Sequence, residues 1–320
     1  MIPNQMIPFK TNTFWILLGL NMVIQLSCTQ EKRESEKSFN AIITANDCWT
    51  GAPANQIPVN NYGLLIRYGR NLIENTAYYL GPNGKLQHST NGLNCQNCHL
   101  EAGTKPWGNN YGAVASTYPK FRDRSGSIES IEKRVNDCLE RSLNGQALNN
   151  NSKEMKAIVS YIKWLGIDIA KKTKPKGSGI MQLPFLSRAA DPNKGKYVYT
   201  TTCERCHGKT GLGQMNPDNT SYLYPPLWGN KSYNTGAGLF RLSRFAGFVK
   251  NNMPNPVNYH TPQLSDEQAW DVAAYVNSQP RPNYNVKNDW PDKKKKPFDH
   301  PFGPYVDGLS EKEHKYGPWH

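Results

Sequence analysis

The chain has 320 residues, of which 37% are hydrophobic, and a mean hydropathy of −0.70. That length allows two domains of ordinary size, and that polarity marks most of the chain as soluble and loop-rich rather than membrane-embedded. The 26 Gly and 23 Pro fit small domains wrapped by irregular loops, and the net charge of +13 suits anionic substrates or acidic electron-transfer partners.

Residues 1–28 read as a leader. Lys10 precedes an apolar stretch over residues 14–20 and 22–26. It is too short for a comfortable transmembrane helix and suits the apolar core of an export signal. Leu26-Ser27-Cys28 resembles the end of a bacterial lipoprotein box, with Gln25 where Leu is usual. Cys28 is therefore a candidate lipid anchor, with ordinary signal cleavage as the alternative. Residues 29–44 are polar and read as a flexible tether. Either route exports the mature protein, periplasmic or lipid-anchored to a bacterial membrane.

A first module is expected over residues 45–170. Leu65, Gly69, Leu72 and Ile73 suit an opening helix, and a polar insertion, residues 81–94, follows. Then comes Cys95-Gln96-Asn97-Cys98-His99. Cys-x-x-Cys-His is the attachment signature of c-type haem: two thiols add to the vinyl groups of one porphyrin edge, and the adjacent His ligates the iron. A zinc knuckle or redox pair is the alternative, but zinc would need further Cys or His at knuckle spacing, which are missing. Arg122 and Arg124 lie downstream. At 100° per residue, Arg134, Cys138 and Arg141 then share one helical face, bordered by Ile131 and Ser142. A closing helix starts after Ser152, carries Met155, Ile158, Val159, Ile162 and Leu165, and stops at Gly166.

A linker rich in Lys, Pro and Gly spans residues 171–186, and a second module spans 187–282. Asp191 caps its opening helix through Gly195 and Tyr197, which leads to Cys203-Glu204-Arg205-Cys206-His207, the second attachment signature. A long loop with Met215, Pro225 and Pro226 follows. Ser265 and Gln268 form a capping box for the closing helix, whose stripe is Ala269, Val272, Ala273 and Val276, and Pro280 lies just past its end. In each module a Gly on the opening helix (Gly69, Gly195) is positioned to meet a Tyr on the closing helix (Tyr161, Tyr275). The expected fold is mainly α: two class I cytochrome c-like domains in tandem with long irregular loops, carrying two covalently bound haem c. An extension over residues 283–320 holds Trp290, Phe298, Phe302, Tyr305 and Trp319 and is expected to lie along the domains. The Lys run at 293–296 reads as a solvated tail segment. Nucleic acid is not an expected partner of an exported haem protein.

Each His-ligated iron needs an account of its other axial position. In the second module Met253, in Asn252-Met253-Pro254, stands where a loop Met is expected, and Met215 lies on the proximal side close after His207. A core Met is the alternative role. The first module has Cys138 at that place, with Met155 as competitor in the helical stripe. A thiolate is a strong donor that lowers the reduction potential, and it is also a nucleophile. Arg134 and Arg141 beside it would lower its pKa and hold an anion. Two alternatives stand: a Cys48–Cys138 disulfide, and arginines that only solvate the helix or pair with haem propionates.

The run Arg134-Val135-Asn136-Asp137-Cys138-Leu139-Glu140-Arg141-Ser142-Leu143-Asn144-Gly145 resembles the signature of dihaem thiosulfate dehydrogenases. So does Asn94-Cys95-Gln96-Asn97-Cys98-His99-Leu100 with Gly103 following, and the resemblance covers residues 49–280. It implies that His99 and Cys138 ligate an active-site haem, and that His207 and Met253 ligate an electron-transfer haem. It further implies that Arg124, Arg134 and Ser142 bind substrate. Some members carry a Lys immediately before the Met; this chain has Asn252. The implied reaction joins two thiosulfates into tetrathionate, or runs in reverse, with electrons passed to an external partner such as a small cytochrome. Three rivals remain: a dihaem electron carrier without enzymatic activity, a cytochrome carrying a Cys-bound persulfide, and a peroxidase-type dihaem enzyme.

Overall fold

Two crossed pairs of helices organise the chain, and a glycine sets each crossing. The computed structural model describes residues 48–319, so the leader, tether and Cys28 lie outside the described residues. In the first module α1 (Asn61–Glu74) begins where the Asn60 side chain accepts from Gly63 N at 2.9 Å. It buries Ile66, Gly69, Leu72 and Ile73, which recur at helical spacing. The short α2 (Thr76–Leu80) leads into the first Cys-x-x-Cys-His turn. A hairpin of β1 (Lys120–Arg122) and β2 (Ser127–Glu129) precedes α3 (Ile131–Arg141), which Ser130 caps. The closing helix α4 (Lys153–Leu165) is capped by Ser152 and ends at Gly166. Met155, Ile158, Val159, Ile162 and Leu165 are all buried, each side chain contributing about 1.5–3 kcal/mol relative to exposure.

Where α1 crosses α4 there is no room for a side chain on α1. A Cβ on Gly69 would lie 2.0 Å from the Ala157 carbonyl oxygen and 3.0 Å from Tyr161 Cβ. The second module repeats the device. Its opening helix α5 (Pro192–Val198) is capped by Asp191, with Pro192 in the first turn. After the hairpin strands β3 (Gln214–Met215) and β4 (Tyr222–Tyr224) come α6 (Leu242–Asn252) and the closing α7 (Asp266–Ser278). The Ser265–Gln268 capping box starts α7. A Cβ on Gly195 would sit 1.8 Å from the Asp271 carbonyl oxygen and 2.9 Å from Tyr275 Cβ.

A tyrosine hydroxyl holds each haem-binding turn. Tyr161 OH donates to Ala102 O at 3.0 Å, just past His99. In the second module Tyr199, on the opening side, donates to Gly208 O beside His207.

The segment read as a linker is strapped to both modules. Trp107 N donates to Gly177 O and Asn109 N to Gly179 O, both at 2.8 Å, while Trp270 Nε1 donates to Pro184 O at 3.0 Å. The modules also touch directly: Cys98 and Leu100 pack on the second core, and Tyr222 packs on the first.

The extension runs across both modules. Asp299 accepts from Arg241 Nε at 2.7 Å and from Ser243 N at 3.0 Å, and so caps the start of α6. The Lys run is less free than its sequence implies. Lys296 Nζ donates to Phe302 O and Pro304 O and Lys293 Nζ to Asp289 O, while Lys294 and Lys295 stay exposed. Among the described residues no helix is long and apolar enough to cross a membrane.

Gly69→Ala tests the crossing. On an exposed helix surface this change would favour the helix by about 1 kcal/mol. Here overpacking against the α4 backbone should instead destabilise the first module by about 1–3 kcal/mol, read as a lower denaturation midpoint with an unchanged m value.

Candidate functional site

The first Cys-x-x-Cys-His turn opens onto a cavity of about 370 Å³, a volume ordinary for a ligand site. Cys95, Cys98 and His99 form one wall, and Cys138 and Ser142, from α3 and its C-terminal end, form another. Ile73, Leu80, Leu93, Ile158 and Ile162 supply apolar lining. His99 Nδ1 lies 2.5 Å from Asn109 O. A carbonyl only accepts, so Nδ1 carries the proton and the Nε2 lone pair is left for a metal. The ring stacks on Tyr111 with centroids 4.6 Å apart. His207 repeats the arrangement, with Nδ1 donating to Pro225 O at 2.8 Å. Burial lowers the His207 pKa, against the pull of that carbonyl, and so favours the neutral, metal-binding ring.

The cysteines differ in kind. As free thiols, burial pushes Cys95 up to about 11 and Cys98 to about 12. Cys138 is also buried, which raises its pKa, but Arg134 above all, with His99 beside it, outweighs this and brings it down to about 7. Cys138 thus lies in contact with the His99 imidazole in one chamber. Arg134 is held charged chiefly by Cys138, against desolvation. Cys48 is buried elsewhere, under Gly177, and both Cys48 and Cys138 are free thiols, so the Cys48–Cys138 disulfide does not form.

These features fit haem c: vicinal thiols beside an imidazole with its Nε2 free, a mostly apolar chamber, and a second donor facing the first. In the second module Met253 leaves the end of α6 in extended conformation and packs against the core that holds Cys203, while Met215 is 40% exposed on β3. Asn252, beside Met253, is fully buried and donates to Trp107 O and Phe248 O, so it clamps the junction between modules.

The cavity is strongly cationic, and much of that charge has no local sequence signal. Lys120 and Arg122 alternate along β1, so both face the cavity while Phe121 points outward. Lys174 comes from the linker and Arg244 from α6 of the second module. Burial lowers Lys120 to about 8, assisted by Arg122, Lys174 and Arg134. Desolvation and then Arg241 lower Arg244, with further pushes from Arg122 and Arg134. Glu129 lies 3.8 Å from Arg122 and offsets part of this charge.

Two expected cavity residues lie behind the wall. Arg141, expected beside Cys138, does not line the cavity: its guanidinium turns to the extension and pairs with both oxygens of Asp289 at 2.6 and 2.8 Å. The helical wheel gave its face correctly, but a long side chain follows the nearest buried carboxylate. Arg124 sits over the Trp290 ring at 5.3 Å, and its backbone oxygen accepts from Trp290 N at 2.7 Å. Burial lowers Arg124 to about 10, with Arg134 and Arg141 adding to the fall and Asp289 opposing it. Its buried Nε has no partner.

A family model described as SoxA/TsdA, cytochrome c domain, matches residues 85–167, and the Cytochrome c model matches residues 192–280. A thiosulfate dehydrogenase from Psychrobacter arcticus is 41% identical over 243 residues, covering 74% of this chain and 69% of that protein. The chain belongs to the thiosulfate dehydrogenase family. Another member, from Allochromatium vinosum, is 39% identical over 196 residues, covering 60% of this chain and 71% of its own length. The solved thiosulfate dehydrogenase TsdBA from Marichromatium purpuratum, as isolated, aligns with a TM-score of 0.69 at 30% identity, covering 76% of this chain. The chain spans about half, 51%, of that structure's length. Like its family, the chain is an oxidoreductase built from two tandem cytochrome c domains, with haem c in each.

Asp289→Asn leaves the Arg141 charge buried without its partner and should cost about 3–5 kcal/mol of stability. Adding Arg141→Met should recover most of that loss; thermal melts of the single and double variants measure both.

Proposed function

We propose that this chain joins two thiosulfates into tetrathionate, and runs the reverse reduction, in the cavity around Cys138. The observation that carries this reading is the Cys138 thiol set in one cavity with Arg134, Lys120, Arg122, Lys174 and Arg244. The names of the relatives support the substrate class. The coupling forms one S–S bond, releases two electrons and moves no proton. Cys95, Cys98, His99 and Cys138 would hold one haem c and Cys203, Cys206, His207 and Met253 the other, and the pair would supply two one-electron acceptors that match this stoichiometry.

Two dianions must approach to bonding distance. Each pair of unit charges 4 Å apart at an effective dielectric of 20 repels by about 4 kcal/mol. Arg134 beside Cys138, with Lys120, Arg122, Lys174 and Arg244 around the cavity, offsets that repulsion. The Ser142 hydroxyl donates to substrate oxygen from the cavity wall, while Arg124, behind that wall over Trp290, adds positive charge without touching substrate. Arg141, paired with Asp289, positions its neighbours rather than touching substrate.

The Cys138 thiolate is also a nucleophile. An S–S bond between Cys138 Sγ and the outer sulfur of one thiosulfate forms with loss of two electrons. The second thiosulfate attacks that outer sulfur, releases tetrathionate and returns the thiolate. Electrons leave through the second module to an external acceptor such as a small cytochrome. The leader implies export, with Cys28 as a lipid anchor.

Steady-state assays in both directions, with artificial donors and acceptors, test this reading on haem-loaded protein. Absence of turnover in either direction leaves the electron-carrier reading. Cys138→Gly should abolish turnover and change the spectrum of one haem alone. Arg134→Gln should raise the thiosulfate KM about ten- to hundred-fold, the value of one charge-assisted contact.

Lys120 makes affinity pH-dependent. It is cationic below about 8 and neutral above, so the thiosulfate KM should rise as pH climbs through that value. Lys120→Arg should flatten the profile; an unchanged profile would remove Lys120 from the site.

A further inference from the structure

Arg281 follows the closing helix of the second module and has no described role. Its Nη2 donates to Val276 O at 2.6 Å. Its guanidinium lies over the Tyr233 ring at 4.3 Å and the Phe240 ring at 5.2 Å. Nε and Nη1 are both buried and find no partner beyond the Tyr233 side chain. Among the described residues no carboxylate forms an ion pair with Arg281. A guanidinium is always charged, and here it meets aromatic rings, the Tyr233 side chain and one carbonyl but no counter-ion. Its position therefore calls for an anion that the polypeptide does not supply.

The surroundings identify that anion's class. Tyr233 is buried in the second core, and its hydroxyl donates to Asn277 Oδ1 at 2.8 Å. Cys203 and Met253 pack on the same core, and so does Cys98 of the first module. Arg281 thus stands where the attachment edge of one haem meets the core that encloses the other. It does not line the cavity around Cys138, so substrate is not its partner. The remaining anions are the carboxylates that haem c itself carries.

We propose that Arg281 is the counter-ion of a haem carboxylate at the junction between the two modules. The planar fork of the guanidinium matches a carboxylate in a bidentate pair, and the aromatic rings fix its plane. Neutralising that carboxylate disfavours the oxidised, more positive iron centre nearby and raises its potential. Arg281 thereby biases the direction in which electrons cross the junction. The inference rests on haem being bound, not on which substrate is turned over.

Redox titration of the haem-loaded protein followed by visible spectra tests this, because different axial ligand sets give the two haems separable spectra. In Arg281→Gln one haem potential should fall and become pH-dependent across the carboxylate range, since the unpaired carboxyl now titrates. In Arg281→Lys, which keeps the charge, most of the potential should persist. The fall is expected at the His207 haem, because the first module meets this core through Cys98 and the carboxylates of haem c lie on the edge opposite its thioethers; a fall confined to the His99 haem overturns the proposal. Two potentials equal to those of the wild type overturn the proposal, as does a fall with no new pH dependence. Should the Gln variant fail to load haem, the Lys variant decides: a potential close to wild type supports the pairing, and a large pH-dependent fall overturns it.

Discussion

Mutual repulsion among cations is the constraint around which the first module is built. Arg124, Arg134 and Arg141 lie close enough that two of them depress the third. Lys120, Arg122 and Arg244 add to the same field. An unbraced chain would relieve this by turning the side chains outward. The fold prevents it from several directions: Cys138 holds Arg134, Glu129 faces Arg122, Asp289 grips Arg141, and Trp290 underlies Arg124. The resulting positive field is a standing energetic cost in the free protein. A field of this sign attracts anions and repels cations.

The two modules share a plan but not a purpose. Both set a glycine under a tyrosine at the helix crossing, and both hold a histidine Nδ1 with a backbone carbonyl. They diverge in the further sulfur each supplies. In the first a thiol lowered by a guanidinium shares the cavity with that histidine; in the second Met253 packs on the core beside Cys203, with Met215 out on a hairpin.

Local features were readable from the sequence because local physics decides them. Asn60 aside, the caps at Ser152, Asp191 and Ser265, the stop at Gly166 and the stripes of the closing helices follow from spacing alone. The Gly69–Tyr161 and Gly195–Tyr275 contacts were legible because one residue of each pair has no side chain. Residues that arrive from far along the chain were not. Lys174 and Arg244 reach the cavity from a linker and from the other module, and no periodicity announces that. Arg141 illustrates the limit in reverse: its helical face was right, but its partner lies 148 residues away in the extension. The composition of residues 171–186 marked a linker, and its backbone carbonyls serve as a strap along residues 107–110.

That strap and the extension bear on the order in which the molecule is completed. Both attachment motifs precede Asp289 and Trp290 in the chain, so both leave the ribosome first. A chain interrupted after the second module would keep every cysteine and histidine needed to take up its cofactors. It would lack the carboxylate and the indole that restrain Arg141 and Arg124. Pigmentation therefore reports on the two attachment motifs and not on the segment that restrains the arginines.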